Sequence, residues 1–384
     1  MNIFVSNFQK TISLNPTLKV VHLRKLSSHH PRIRGKVYST LRRGTLEIHN
    51  IHRSIEVPKT EDSYPYRIKQ VKEKIGKTPM VHMENVNGNK ILSKLEYYNP
   101  YSHSVKDRTA AFLLTGPIER GEIDPVEDKI WIEASSGNLG IAYGKIGTYL
   151  GLKTHIVVPS IVGQATYERV QKSAYRSEVT PGDYCPRGER DGAIRRAVDI
   201  WMSNPEKYVY LDQYSNPDNI RAHEETTGPE FWGQTHGEIT TLVLGVGTGG
   251  TLVGSAKFLK SQNPDIQVIA VKPQAGHHIQ GVRNYDESMM PIIFQDNEGI
   301  VDGWVEISDK EAFEATAYLW GRGFKVGTSS GLNYAATRKI ARSLSGGKLV
   351  TLFPDSYLNS REITSHFMQT GEIAARELRR SDIK

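Results

Sequence analysis

From about residue 70 onward, short apolar runs alternate with segments of helical periodicity. The apolar runs that read as buried strands are KIWIE (129–133), THIVVP (154–159), TTLVLG (240–245), IQVIAVKP (266–273) and GKLVTLFPD (347–355). The segments with helical spacing are IAYGKIGTYLG (141–151), LVGSAKFLKSQNP (252–264) and AATRKIARSL (335–344). Strands separated by helices predict βαβ units and a mostly parallel sheet. In such sheets, ligands bind beyond the carboxyl ends of the strands.

Chain length and composition fit a globular α/β protein. At 384 residues the chain exceeds a typical single core, so we expect two domains or one α/β domain with additions. Apolar residues make up 38% and charged residues 24%, which is ordinary for soluble globular proteins. No apolar window is long enough to cross a membrane, and we therefore expect no membrane span.

The net charge of +7 is concentrated at the N-terminal end. Residues 1–60 hold 11 Lys and Arg residues against two acidic ones, and residues 1–46 hold no acidic residue. Nucleic-acid binding, organelle import and a basic arm packed on the body or on a partner subunit all fit this pattern. Alternating apolar positions in TLKVVHL (17–23) and GTLEIHNI (44–51) hint at short strands and favour the packed arm.

The single cysteine, Cys185, rules out an intramolecular disulfide and indicates a reducing compartment. We therefore predict a cytoplasmic protein, with organelle import through the N-terminal segment as the alternative. No motif for nucleic-acid binding stands out, and we expect no nucleic-acid partner and no metal.

The glycine-rich stretch GVGTGGT (245–251) follows one predicted strand and precedes a predicted helix. Glycines let backbone N–H groups converge without Cβ clashes, and a helix N-terminus adds positive potential, so the stretch is typical of a phosphate site. It is not a P-loop, because no Gly-Lys-Ser/Thr follows, and it lacks the acidic residue of a dinucleotide fingerprint. Taken alone, the same stretch also fits a tight turn.

Three further stretches carry candidate chemistry. In EASSGNLG (133–140), hydroxyls and exposed N–H groups at a strand-to-helix junction suit a carboxylate, or Ser135 or Ser136 caps the helix. In SVKDR (104–108), Lys106 lies at a predicted helix start, where a positive field would make it nucleophilic unless it is a solvated surface residue. In GTSSGLN (327–333), small hydroxyls could contact a ring nitrogen or cap a helix.

A single ligand accounts for all four stretches: a phosphorylated aldehyde cofactor, bound covalently to Lys106. Pyridoxal 5′-phosphate fits that description, and an amino-acid substrate would bring the carboxylate. The non-enzyme alternative is a protein without this cofactor that binds partners through its basic arm.

These stretches, in this order, resemble the cysteine synthase / cystathionine β-synthase family of pyridoxal-phosphate enzymes. The resemblance is carried by IGKTPMV (75–81), KLEYYNPYSHSVKDR (94–108), SSGNLGIA (135–142), LDQYSNPDNIRAHEETTGPEFW (211–232), GVGTGGT (245–251), HHIQGV (277–282), GTSSG (327–331) and FPDS (353–356). It implies pyridoxal-phosphate fold type II, which is similar to the tryptophan synthase β chain, with two open, twisted, mostly parallel sheets flanked by helices. It further implies a large cofactor-phosphate domain from 71–105 and 221–384, a small mobile substrate domain from 106–220, and a basic extension at 1–70.

The resemblance also assigns roles to individual residues. Lys106 would form the Schiff base and move the Cα proton, Asn138 would hydrogen-bond the ring hydroxyl, and Ser329 would face the pyridine nitrogen. A neutral serine there would leave that nitrogen largely unprotonated and favour β-elimination over transamination. The phosphate cradle would be Gly247, Thr248, Gly249, Gly250 and Thr251, and the substrate-carboxylate site would be Ser135, Ser136, Gly137, Leu139 and Gln213.

Two departures from the family pattern bear on the substrate. NPYSHSVKDR is one residue longer than the usual NPxxSVKDR, and Arg283 stands where the acetylserine enzymes have a glycine after Q-G-V or Q-G-I. With the N-terminal extension, both features look like the archaeal-type O-phosphoserine sulfhydrylases, in which this arginine reads the substrate phosphate. Guanidinium meets phosphate oxygens bidentately, so the residue types agree with this interpretation. Alternatively, Arg283 is a plain surface arginine.

The prediction is therefore a β-replacement enzyme of cysteine biosynthesis, in which O-phospho-L-serine and sulfide give L-cysteine and phosphate. By resemblance we also expect a homodimer. Within the family, O-acetylserine sulfhydrylase, cystathionine β-synthase and 2,3-diaminopropionate synthase activities stay open as alternatives. Leu139 stands where the family has a threonine, so at this position a backbone N–H but no side-chain hydroxyl can meet the carboxylate.

Overall fold

The structure is a computed structural model that describes residues 63–160, 162–181 and 191–373, together with the backbone of 40–42 and 45–47. The chain divides into two compact units, 1–58 and 59–384. In the first unit, β1 (Thr40–Arg42) pairs antiparallel with β2 (Thr45–Glu47), which falls in the GTLEIHNI stretch. The TLKVVHL stretch, the side chains of the basic segment and Cys185 lie outside the described residues.

The second unit contains two sheets. Its strands are β3 (Met80–Val86), β4 (Asn89–Leu95), β5 (Ile130–Ala134), β6 (Lys153–Val158), β7 (Arg176–Val179), β8 (Tyr208–Tyr210), β9 (Thr241–Gly245), β10 (Gln267–Pro273), β11 (Gly303–Ile307) and β12 (Lys348–Phe353). A six-stranded sheet has the order β11-β10-β9-β12-β4-β3, and a four-stranded sheet has the order β7-β6-β5-β8. Every pairing is parallel except that of β3 with β4.

Helices connect and cover the strands. They are α1 (Tyr64–Lys74), α2 (Lys106–Glu119), α3 (Asn138–Leu150), α4 (Gln164–Ser173), α5 (Asp191–Ser203), α6 (Asp218–Ala222), α7 (Gly228–Gln234), α8 (Gly250–Gln262), α9 (Ile292–Gln295), α10 (Asp309–Gly321), α11 (Thr328–Ser343) and α12 (Arg361–Thr370). Short 3₁₀ segments lie at 96–98, 298–300 and 357–359, and a π-helical turn at 223–227 joins α6 to α7. Within the part of the chain that the structure describes, no helix is long and apolar enough to cross a membrane.

Burial on both faces explains why the central strands are continuous apolar runs. In β9 and β12 the side chains of Val243, Leu244, Leu349 and Val350 are at most 1% exposed, because helices cover both faces of a parallel sheet. The helix after β5 ends where the sequence indicated, since Gly151 follows α3 and takes the left-handed conformation at φ 82° that favours glycine.

The fold class is confirmed: the protein is α/β, with two mostly parallel sheets and the predicted strand–helix alternation. All five apolar runs are strands, and all three helical segments lie in α3, α8 and α11. The larger sheet takes its strands from 80–95, 241–307 and 348–353, and the smaller sheet takes them from 130–210. The division into a large and a small mobile domain stays a prediction.

Candidate active site

A cavity lies where the carboxyl ends of strands from both sheets meet. About 130 Å³ of the cavity is accessible to water molecules. Its lining contains every site residue that the sequence predicted except Gly250, which begins α8 behind the glycine loop. One cavity therefore brings together predicted site residues from six separate stretches of the chain.

Lys106 begins α2, lines this cavity and is half-buried. Burial and, in second place, the charge of Arg283 lower the pKa of Lys106 to about 8. Loss of solvent and a like charge both disfavour an ammonium. The Lys106 amine is therefore far more often neutral near physiological pH than an ordinary lysine amine, as a nucleophile or base requires.

The loop before Lys106 is held by the next residue, Asp107. Its buried carboxylate accepts the backbone N–H groups of Tyr101 at 2.6 Å and Ser102 at 2.8 Å, and also the Ser102 hydroxyl. His103 in this loop takes a left-handed backbone conformation at φ 57°, which lets the longer NPYSHS connection turn. Burial raises the pKa of Asp107 to about 6, against the effect of these hydrogen bonds.

The glycine loop after β9 forms a cradle in which side chains do not fit. A Cβ atom on Gly247 would stand 2.3 Å from the Gly281 oxygen, and one on Gly249 would stand 2.6 Å from Phe294. Gly249 also has a left-handed backbone, at φ 89°. Thr248 is held by the Asn219 side-chain amide at 3.0 Å. The N–H groups at the start of α8 have no partner within the helix, so they suit an anion.

His223 in the π-helical turn connects this cradle to the lysine helix. Its Nε2 atom lies 3.2 Å from the hydroxyl oxygens of both Thr109 in α2 and Thr251 in α8. Burial and then the Arg108 and Lys106 charges lower the pKa of His223 well below its usual value, so the ring is neutral. Nothing in the sequence assigns a role to this residue. π-helical turns often mark functional sites, but no sequence pattern predicts them.

The two serines of the SSGN loop, between β5 and α3, have different surroundings. Ser135 accepts backbone N–H groups of the loop, and Ser136 lines the cavity. Buried Ser135 accepts the N–H groups of Gly137 at 3.2 Å and Gly140 at 2.8 Å, which is the capping alternative, whereas Ser136 is exposed. The Leu139 side chain packs in the hydrophobic core, which leaves only its backbone N–H for a ligand. Gln213 lines the cavity and donates to the Ala134 carbonyl at 2.9 Å.

Arg283 lies inside the cavity and is not a surface residue. It is only 7% exposed, and its guanidinium carbon lies 4.8 Å from the ring centroid of Tyr214, whose hydroxyl it contacts at 3.3 Å. Its charge helps to lower the pKa of Lys106, which places the two cations on the same cavity. The aromatic face holds the planar guanidinium without neutralising it.

Ser329 and Asn138 both donate to the carboxylate of Asp355, a residue for which the sequence predicts no role. Asp355, directly after β12, accepts the Asn138 amide at 2.8 Å and the Ser329 hydroxyl at 3.3 Å. The stretch FPDS (353–356) is part of the family resemblance, but a lone aspartate after a strand indicates no particular contact. Only the fold shows that its two oxygens face two predicted cofactor ligands.

A buried ion cluster anchors the lysine helix from behind. Arg108 donates to Glu96 through two nitrogens at 2.8 Å each and to Glu230 at 2.7 Å, and Lys94 lies 2.6 Å from Glu230. Arg108, Glu96 and Lys94 have no exposed side-chain surface. Asp107 and Arg108, the two charged residues that follow Lys106, therefore hold the lysine helix and the loop before it in place. Among the residues that the structure describes, no group of His, Cys, Asp and Glu side chains is arranged to hold a metal ion.

The donor set fits pyridoxal phosphate. The backbone cradle would hold its phosphate, the Lys106 amine would hold its aldehyde carbon, and the hydrogen-bonding groups of Asn138 and Ser329 would meet the polar atoms of its ring. The cradle supplies the independent test, because Gly281 and Phe294 pack so closely against Gly247 and Gly249 that no side chain fits, and the loop presents a bare backbone to an anion.

Comparison with known proteins agrees with this assignment. Residues 71–355 match a family model described as "Pyridoxal-phosphate dependent enzyme". The chain is 36% identical to "Cysteine synthase" of Aquifex aeolicus, over 77% of this chain and 92% of that protein. It is 35% identical to "Cysteine synthase B" of Salmonella typhimurium, over 74% of this chain and 92% of that protein.

A solved structure is similar over the same region. The O-acetylserine dependent cystathionine beta-synthase from Helicobacter pylori matches with a TM-score of 0.68 and 30% identity, over 79% of this chain and 98% of that one. The predicted cofactor and fold type are confirmed. This chain belongs to the cysteine synthase / cystathionine β-synthase family of pyridoxal-phosphate-dependent enzymes and has a β-replacement site of the cysteine synthase type.

Proposed function

We propose that the enzyme converts O-phospho-L-serine and sulfide to L-cysteine and phosphate. The observation that carries this proposal is the buried Arg283 guanidinium on the same cavity as Lys106. Two positively charged side chains that line one cavity favour the binding of an anion there. The phosphate of O-phosphoserine is such an anion, whereas O-acetylserine carries a neutral leaving group.

The geometry of the arginine site favours a phosphate, which can accept two hydrogen bonds from the guanidinium, over a group that accepts only one. Stacking against Tyr214 at 4.8 Å holds the guanidinium plane, so that its N–H groups keep a fixed direction. A fixed planar fork meets two phosphate oxygens at once, and such charge-assisted pairs are roughly twice as strong as neutral hydrogen bonds. The departing phosphate would stay paired with Arg283 as its charge grows, which assists cleavage of the bond to Cβ.

The residues of this chain divide the remaining tasks. When bound, the cofactor supplies an electron-withdrawing ring that stabilises negative charge at the substrate Cα. Lys106, whose pKa is lowered to about 8, would take the Cα proton and later return it. The N–H groups at the start of α3 would hold the substrate carboxylate, and sulfide would attack the Cβ carbon that the phosphate left.

The first experiment compares sulfide-dependent cysteine formation from O-phosphoserine, O-acetylserine and serine. For Arg283→Ala we expect kcat/KM with O-phosphoserine to fall about 10- to 100-fold, because hydrogen bonds to a charged group are worth about 1.5–3 kcal/mol. Turnover of O-acetylserine should change little, since its uncharged ester forms no ion pair with Arg283.

Two variants make this comparison specific. Arg283→Lys keeps the charge but loses the planar fork, so we expect O-phosphoserine turnover between that of the native enzyme and Arg283→Ala. Arg221→Ala removes an arginine that does not line the cavity and should leave both donors unaffected. Equal losses for both donors in Arg283→Ala would contradict the assignment of phosphate to Arg283.

O-acetylserine is the second candidate donor, and a specific finding favours it. The Helicobacter pylori relative of known structure is described as O-acetylserine dependent. The match covers 98% of that relative's own length. A higher kcat/KM for O-acetylserine than for O-phosphoserine in the native enzyme would establish this alternative. Homocysteine and an amine donor, tested in place of sulfide, address the open identity of the nucleophile.

Three predictions on the whole protein stay proposals. We propose a homodimer, a cytoplasmic location, and a mobile lobe formed by 106–220 that contains the four-stranded sheet. Size measurement in solution and comparison of the free and substrate-bound enzyme by hydrogen exchange would test the first and third of these.

A further inference from the structure

Behind the glycine loop lies a group of buried hydrogen-bonding side chains to which the proposed mechanism gives no task. The fully buried members of this group are Thr109 of α2, Asn219 of α6, and His223 and Thr227 of the π-helical turn. Asn219 contacts Thr248, and His223 contacts Thr251. Both of these threonines line the cavity, so each hydroxyl of the predicted phosphate cradle has a buried partner behind it.

A backbone carbonyl fixes the orientation of the Asn219 amide. The Nδ2 atom of Asn219 lies 2.7 Å from the carbonyl oxygen of Gln213, which can only accept a hydrogen bond. The same nitrogen donates its second hydrogen to the Thr248 hydroxyl oxygen at 3.0 Å. The side-chain oxygen of Asn219 therefore faces Thr109, and the Thr109 hydroxyl donates its single hydrogen to that oxygen at 3.1 Å.

This arrangement decides which ring nitrogen of His223 carries a hydrogen. The Thr109 hydroxyl has already given its hydrogen to Asn219, so its oxygen can only accept in the contact with His223 Nε2 at 3.2 Å. The Nε2 atom must therefore carry the hydrogen. It also lies 3.2 Å from the Thr251 hydroxyl oxygen, which can accept the same hydrogen.

The ring of His223 is neutral and carries only this one hydrogen. Burial is the first cause that lowers the pKa of His223 well below its usual value, and the charges of Arg108 and Lys106 follow, while Glu230 acts in the opposite direction. A neutral ring with its hydrogen on Nε2 leaves Nδ1 as an acceptor. The Thr227 hydroxyl lies 2.8 Å from Nδ1 and is the matching donor.

Two glycines of α8 allow this group to lie directly against the cradle. A Cβ atom on Gly250 would stand 2.2 Å from the Asn219 side-chain oxygen, and one on Gly254 would stand 2.8 Å from the Cβ atom of His223. Any side chain at these positions would separate α8 from its two partners. The close approach of Asn219 and His223 is therefore built into the start of α8.

The direction of these hydrogen bonds determines what the cradle can offer to a ligand. A threonine hydroxyl has one hydrogen to give and can also accept. Thr248 accepts from Asn219, and Thr251 accepts from His223, so neither hydroxyl spends its hydrogen on these buried partners. Both hydrogens remain for the cavity, where an anion with acceptor oxygens can use them.

We propose that His223 is a positioning residue that donates from Nε2 to Thr251 and thereby directs the Thr251 hydroxyl hydrogen to the phosphate of bound pyridoxal phosphate. Thr109 and Asn219 fix the direction of this hydrogen bond. The proposal rests on the seating of the cofactor phosphate at the glycine loop, and it is independent of the donor substrate.

The first test measures the ring hydrogens of His223 in the full-length holoenzyme, prepared with ¹⁵N-labelled histidine and without substrate. Correlations between the ring nitrogens and the carbon-bound ring hydrogens distinguish a nitrogen that carries a hydrogen from one that does not. The signals absent from His223→Gln identify His223. At neutral pH we expect a hydrogen on Nε2 and none on Nδ1. A hydrogen on Nδ1, with or without one on Nε2, overturns the proposal.

The second test is a double-mutant cycle on cofactor affinity, in which apo-protein is titrated with pyridoxal phosphate and absorbance reports binding. We expect the Kd to rise about 3- to 10-fold in His223→Leu and about 10- to 100-fold in Thr251→Val, which loses a hydrogen bond to a charged group. The variant with both changes should match Thr251→Val, because His223 acts through that hydroxyl. A Kd that rises by the product of the two single factors overturns the proposal.

Two further variants separate positioning from packing. His223→Gln keeps an N–H donor of similar reach and should recover most of the affinity that His223→Leu loses; equal losses in the two variants overturn the proposal. His155→Leu is the matched control, because His155 is also fully buried but lies in β6 and does not line the cavity, and it should leave the Kd unchanged. If His223→Leu does not fold, the ring hydrogens of the native enzyme decide. No donor substrate is present, so a wrong donor assignment cannot produce any of these outcomes.

Discussion

At the scale of single residues, the reactivity of this site depends on what surrounds Lys106. The lysine belongs to an ordinary helix start, and its sequence neighbours do not lower its pKa. Burial comes first among the causes of the shift, and Arg283, which is 177 positions away in the chain, comes second. The same arginine that we assign to the substrate phosphate thus also helps to lower the pKa of the lysine amine.

This environment makes a prediction on cofactor loading. The neutral amine reacts with an aldehyde, so the rate at which apo-protein takes up pyridoxal phosphate should rise with pH and reach half its maximum near pH 8, the pKa of Lys106. In Arg283→Ala the midpoint should move to higher pH, because a like charge near the ammonium is gone. Absorbance of the bound cofactor follows the reaction.

Reduction with borohydride and peptide mass analysis identify the lysine that reacts. We expect the added mass on the peptide with Lys106 and none in Lys106→Ala. Lys94 is the internal control, because it is also buried but is bound to Glu230 away from the cavity. A loading midpoint above pH 10 would contradict the lowered pKa, and added mass on Lys94 would contradict the assignment of Lys106.

Single residues also show where prediction from sequence stops. Lys106, Asn138 and Ser329 could be named because each lies in a short stretch whose residue types already suggest a ligand. Asp355 could not be linked to them, since its contacts are with residues 26 and 217 positions away. Arg283 stood out in the sequence, but only its burial distinguishes a cavity arginine from a surface one.

At the scale of elements, the glycine loop between β9 and α8 is the most demanding segment. Gly249 needs glycine twice, once for its left-handed backbone and once for its approach to Phe294. Gly121, after α2, has a similar backbone at φ 69° but open space around it. Alanine substitutions at the two positions therefore separate the cost of backbone strain from the cost of a steric clash.

For Gly249→Ala we expect the free energy of unfolding to fall by about 2–5 kcal/mol, the sum of left-handed strain and overpacking. For Gly121→Ala we expect a loss of about 1–2 kcal/mol, from strain alone. Denaturant unfolding measures both, and cofactor affinity should fall only in Gly249→Ala. Equal losses of stability in the two variants would mean that the contact with Phe294 does not constrain the loop.

Elements were predicted well where one local pattern decided them. The strands of the parallel sheets are continuous apolar runs because both faces are covered, and a glycine ends α3 as expected. The short strands β7 and β8 and the π-helical turn were not predicted. Their sequences show no clear periodicity, and contacts with neighbouring elements stabilise them in place of local preference.

At the scale of the whole molecule, the described residues that line the cavity all belong to the second compact unit. They lie between 104 and 359, whereas the first unit ends at residue 58. The strongly basic segment is thus separate in the chain from the chemistry. Its charge is a property of the first unit, and residues 61–384 are close to neutral in sum.

This separation predicts that a chain beginning at Lys59 folds and loads pyridoxal phosphate to the same extent as the full chain. Its unfolding transition should stay cooperative, because the hydrophobic clusters formed by the described residues lie within the second unit. Absorbance of the bound cofactor and denaturant unfolding are the two measurements. Loss of loading in the shortened chain would show that the first unit contributes to the site.

The sequence by itself determined the fold class, the cofactor and the stretches that hold it. It could do so because parallel strands, glycine loops and a reactive lysine impose requirements within a few neighbouring residues. The tertiary structure decided the lowered pKa of Lys106, the burial of Arg283 and the meeting of Asn138 and Ser329 at Asp355. These properties depend on desolvation and on charges from distant segments, and such segments become neighbours only when the chain folds.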